Sequence, residues 1–122
     1  MNSGEIKSLY EILVPTRWGD DPTKSIKKRH HLCWDRYVQT ITGGLTIMTP
    51  SKGRWLFEGS EYHERVIPVR IMCGESDINK IAKFTLRHYR QKAVMYYQVA
   101  NYVRVIHAAA ADNKNNLTNK SS

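Results

Sequence analysis

The chain has 122 residues, enough for one domain that buries most of its unfolded surface. Its apolar fraction of 41% is that of a globular protein, and no run reaches the ~20 apolar residues that span a bilayer. Lys and Arg number 19 against 11 acidic residues, a net charge of +8 that attracts polyanions without any specific site.

The opening MNSGEIKS lacks the apolar core of a signal peptide, so the expected location is the cytoplasm. LYEILVP then reads as a buried first strand over 9–14, ended by Pro15. Residues 16–24 form a polar loop. The next stretch, 25–42, is helical: Ile26, His30, Cys33, Trp34, Tyr37, Val38 and Ile41 recur at three- and four-residue steps on one face. Gly43-Gly44 ends it, since glycine accepts the left-handed conformation of a C-terminal cap. A second strand is expected over 45–49, a turn at 50–53, and two strands over 54–57 and 62–73 around Glu58-Gly59-Ser60. Pro68 cannot donate to a ladder, which suggests an edge position or a bulge. Ser76 is a suitable N-cap for a second helix running to Arg90, with Ile78, Ile81, Ala82, Thr85 and Tyr89 on its buried face. A last main strand covers 94–99, with a short extra strand at 103–106. Residues 1–108 thus make a single domain, and 109–122 are expected to be a disordered polar tail.

The order βαββαβ is that of a ferredoxin-like α+β sandwich, one antiparallel sheet with both helices on one face. Its other face lacks a cover, which implies a partner, a ligand or an oligomer. Two cysteines without a CxxC pattern, Cys33 and Cys73, read as buried or half-buried thiols rather than a zinc site.

LYEILVP, KRHHLCWDRYV, PVRIMC and QKAVMYYQV occur in this order, and over roughly residues 9–99 the chain resembles the small bacteriophage S-adenosylmethionine lyases. The resemblance implies a PII-like fold, a homotrimer with sites between subunits, an anti-restriction role in a host cytoplasm, and no cofactor. It also implies the reaction: the substrate's own carboxylate attacks its Cγ and expels methylthioadenosine, leaving homoserine lactone.

Several residues suit that chemistry. Glu64, between His63 and Arg65 at the start of the long strand, is the candidate acidic group; its alternative is a surface carboxylate paired with Arg65 or Arg54. Trp55 and Tyr62 are candidate aromatic walls for the cationic substrate. Arg54 or Arg70 would meet the substrate carboxylate. Of Tyr96 and Tyr97, one must face the helices and the other, taken as Tyr97, the open face. His30-His31 cannot readily share a metal, because adjacent helical residues diverge by about 100°.

Two other functions fit the same residues. Lys27, Lys28 and Arg29 start a basic run suited to nucleic acid or a host protein, making the chain a non-enzymatic binding module. A PII-like domain could instead bind a nucleotide without turning it over. An RNA-recognition domain shares the element order, but KGRWLFEG matches its RNP1 string poorly.

Overall fold

The computed structural model describes residues 7–109. In order these form β1 (Lys7–Pro15), α1 (Lys28–Thr42), β2 (Thr46–Ile47), β3 (Ser51–Phe57), β4 (Ser60–Cys73), α2 (Glu75–His88) and β5 (Tyr96–Val103). The ferredoxin-like α+β class expected from the sequence is the one observed. Nearly all of the tail expected at 109–122 lies outside the described residues.

β1 is central, antiparallel to β4 on one side and to β5 on the other. The far side of β4 carries two short strands in turn: β2 opposite Arg70 and Val69, then β3 from Val66 down to Ser60. Pro68 is therefore not on an edge strand, and β4 carries no bulge there. Its carbonyl accepts from the Met48 N–H at 2.9 Å. In an extended strand the N side of a residue points the same way as its carbonyl. The missing donor of Pro68 thus faces the break between β2 and β3, and the irregularity falls on the neighbouring chain.

Alternation along the strands sorts the two sheet faces. Tyr10, Ile12, Val14, Val69, Ile71 and Cys73 pack against Trp34 and Val38 of α1 and Ile78, Ile81 and Ala82 of α2. Tyr89, just past α2, joins this core fully buried. Its polar groups are satisfied internally, as burial demands. The Trp34 indole donates to the Thr85 hydroxyl at 2.9 Å, which donates on to the Ile81 carbonyl at 2.6 Å. Tyr89 hydroxyl and His31 Nδ1 share a hydrogen bond of 2.8 Å.

Boundaries differ from expectation for local reasons. α1 starts at Lys28 because Ser25 bridges Arg17 and the Ile26 N–H is taken by the Thr16 carbonyl. The turn expected at 50–53 is mostly strand; the hairpin turn is Glu58-Gly59, both at positive φ. α2 is preceded by Gly74 rather than capped by Ser76, and ends at His88. β5 runs on to Val103, and residues 104–109 carry no separate strand. Cys73 is buried as expected, but Cys33 is exposed. No helix among the described residues is long and apolar enough to cross a membrane.

Candidate functional site

β1 stops pairing with β4 at Pro15 and Val66, whereas β3 continues to Ser60. Residues 60–65 of β4 therefore pair only with β3, and the two strands project as an arm. Leu13 and Pro15 of β1, Trp55–Phe57 from the outer half of the arm, Glu64 and Val66 of β4, Gln91 and residues 93–96 line a groove of about 520 Å³.

Glu64 is half-buried in this groove, and burial pushes its carboxyl above the ordinary carboxylate range. It has no ion-pair partner among the described residues. Arg54 and Arg65 do not pair with it: both are exposed, and strand alternation turns Arg65 away from Glu64 and Arg54 away from Trp55. Opposite Glu64 stands Gly53, and a Cβ there would lie 2.5 Å from the Trp55 ring. The absent side chain lets the indole fold back along β3 on the face that Glu64 shares. Tyr62 is the cross-strand partner of Trp55 and is half exposed beside the groove. Gln91 closes the opposite rim, its amide donating to the Arg17 and Tyr89 carbonyls at 3.0 Å each.

Arg70 and Tyr97 belong to a different place on the same face. Both stand in register with Glu11 at the centre of the sheet. Arg70 Nε donates to Glu11 Oε1 at 2.9 Å, and the Tyr97 hydroxyl donates to Glu11 Oε2. Glu11 is only 8% exposed. Burial would raise its pKa, but the bonds from Tyr97 and Arg70 and the guanidinium charge outweigh that and lower it. The same bond to Glu11, with burial, holds the Tyr97 phenol up. Glu64 and Arg70 are six residues apart on one strand, about 20 Å at the usual rise. Within one chain the structure does not bring them together. Tyr96 turns to the core, edge-on to Tyr10 at 6.0 Å.

Sequence reading missed Glu11. The signal was present, since Glu11 is the lone carboxylate inside an apolar strand. His30 and His31 both touch the helix packing, His30 through Trp18 at 4.8 Å and His31 through Tyr89. Among the described residues no cluster of three or more His, Cys, Asp or Glu is placed to hold a metal. Lys27, Lys28 and Arg29 are exposed at the start of α1, on a separate cavity of about 400 Å³ that Lys27 and Arg29 line.

No protein-family model matches the chain, and no curated protein matches it in sequence. Solved structures do match it in fold. A phage S-adenosylmethionine lyase in complex with S-methyl-5′-thioadenosine superimposes with TM-score 0.59 at 14% identity, over 90% of this chain and 95% of that one. CutA1 from Oryza sativa gives TM-score 0.59 at 10% identity, over 99% and 98% of the two chains. The divalent cation tolerance protein CutA1 from Thermus thermophilus gives 0.57 at 6% identity, over 89% and 92%. At such identities the likeness is one of fold: this chain has the architecture that CutA1 proteins and a phage lyase share.

Proposed function

We propose that the chain is an S-adenosylmethionine lyase that binds its substrate in the Glu64 groove. The observation that carries this reading is Glu64 itself: a half-buried carboxylate with no cationic partner among the described residues, beside an indole, in a chain of net charge +8. A carboxylate held apart in an aromatic recess suits a ligand that brings its own positive charge, and a sulfonium or ammonium meets both a carboxylate and an aromatic face favourably. The fold supports the reading to the extent that one protein sharing it holds S-methyl-5′-thioadenosine, the nucleoside such a cleavage releases.

The chemistry asks little of the protein. The substrate carboxylate oxygen forms a bond to Cγ as the Cγ–sulfur bond breaks, its electron pair staying on sulfur. Methylthioadenosine leaves neutral, and homoserine lactone keeps the ammonium. No external base or cofactor is needed. Holding the carboxylate in line with the departing sulfur removes much of the barrier. Glu64 balances the cationic centre, and Trp55 and Tyr62 wall the adenosyl group. Arg54, on the other side of the arm, has a weaker claim than Arg70 to meet the substrate carboxylate.

The same reading includes a homotrimer. Leu56 and Phe57 at the arm tip are 77% and 62% exposed, and Val99 and Tyr102 lie open on β5. Apolar surface of this extent wants a cover. Contacts through residues 45–57 and 62–73 supply one, and they let Arg70 and Tyr97 of one protomer serve the groove of another. The test is direct: purified protein incubated with S-adenosylmethionine should release methylthioadenosine and homoserine lactone. Folded protein that yields neither product overturns the assignment.

A further inference from the structure

Lys24, Lys27, Lys28 and Arg29 place four cations within six residues. Of these four, Lys24 alone has an acidic partner among the described residues, Asp21 at 3.8 Å, and that pair is well exposed. Lys27 occupies the N-cap of α1 without capping it, and the first turn holds no acid. Cations at the positive end of a helix cost stability, so the sequence breaks a local rule here at neighbouring positions. Such breaks are expected where function compensates.

These side chains also wall a formed space. Lys24, Lys27, Arg29 and His30, with Ser25 and Trp18, enclose the cavity of about 400 Å³. Its loop wall is pinned. The Trp18 N–H donates to the Lys24 carbonyl at 3.2 Å, and the Gly19 N–H to the Tyr89 carbonyl at 3.1 Å. Gly19 sits so close to the chain after α2 that a Cβ would fall 1.8 Å from the Arg90 carbonyl oxygen. Trp18 is set by the His30 ring at 4.8 Å and the Arg90 guanidinium at 4.9 Å. The His30 imidazole titrates below its usual range, through burial and then the charges of Arg29, His88, Arg90 and Lys27. The space beside it is thus cationic.

We propose that this cavity is a phosphate-binding site, distinct from the Glu64 groove, with which it shares no lining residue. Several ammonium and guanidinium donors around one small space suit a phosphate group, whose oxygens accept from more than one donor at once. The phosphate belongs to a free nucleotide or to a single nucleic-acid strand, and the salt dependence of binding separates these sources.

The full chain should bind a short single-stranded oligonucleotide at low salt. If Lys27, Lys28 and Arg29 each neutralise one phosphate, the log–log salt slope is about −2. ATP binding as tight as the strand's, with a shallower slope, would identify the free nucleotide as the ligand. The variant Lys27→Ala/Lys28→Ala/Arg29→Ala should bind about tenfold less tightly or worse and lose that slope. It should melt no lower than wild type, because cations have left the positive end of α1. Lys80→Ala/Lys83→Ala/Arg87→Ala removes the same charge from exposed positions of α2 and should bind normally. The His30 ring proton, followed by NMR, should titrate at higher pH once phosphate is bound. Absence of binding to either probe at low salt overturns the site. Equal losses in both triple variants overturn it too, since net charge alone would then explain the affinity.

Discussion

At the scale of single residues, Glu64 combines a burial cost with a missing partner, and both have measurable consequences. Its folded pKa lies above the ordinary 4.5, because burial disfavours the charged form. The contribution to stability is therefore full below the unfolded pKa and is lost as pH rises through the higher folded value. Binding of a cation runs the other way, since only the ionised form attracts it. Lyase activity should climb with pH through that raised value. Glu64→Gln keeps shape and removes charge, which should cost about 1.5–3 kcal/mol of charge-assisted contact, or ten- to a hundredfold in kcat/KM at about 1.4 kcal/mol per decade. The variant should lose the rising limb of the pH profile as well. Turnover equal to wild type at all pH values would move the site elsewhere. The sequence showed Glu64 as a charge in a strand, and its isolation only emerges from the arm. Arg54 and Arg65, its neighbours in sequence and register, turn to the other side.

At the scale of elements, the regular parts of the chain were legible and the pairings were not. The 3.6-residue period of α2 named Ile78, Ile81, Ala82, Thr85 and Tyr89, all of which are buried. The period of two separated Tyr96 from Tyr97. Pro68 announced a missing donor, yet the sequence could not say which neighbour that gap would face. Glu11 shows the same limit more sharply: Arg70 lies 59 residues away and Tyr97 lies 86 away. Only strand register unites them, tying β4, β1 and β5 together across the open face. Glu11→Gln should lower stability by about 1.5–3 kcal/mol, the range for hydrogen bonds to a charged group. A pH test fixes the sign. The folded pKa of Glu11 is depressed below 4.5, so its stabilisation is present above that value and is lost as pH falls through the folded pKa. Denaturant midpoints of wild type and Glu11→Gln should thus converge under acid. A gap that stayed constant to low pH would mean that packing, not charge, sets the cost.

At the scale of the whole molecule, the open face and the arm make one argument. Glu64 and Arg70 share a sheet face but stand about 20 Å apart along β4, too far for one small substrate to touch both in one chain. A ring of three protomers removes the difficulty if the arm of each reaches the open face of the next. Such a heterologous contact repeats around a threefold axis and closes. Glu64→Gln and Arg70→Ala should then each keep about a tenth of wild-type activity or less alone, yet complement when unfolded together and refolded as mixed rings. An intact site forms wherever a protomer retaining Glu64 meets one retaining Arg70 in the correct order. Random mixing makes about a quarter of all sites intact, because each site draws one residue from either side of a heterologous contact. Recovery of roughly that fraction of wild-type methylthioadenosine release is the expected outcome. Two residues acting from the same chain give no recovery at any mixing ratio, since every site would carry one lesion. Light scattering before the assay should show species of three chains; a monomer at micromolar concentration would remove the shared site along with the ring.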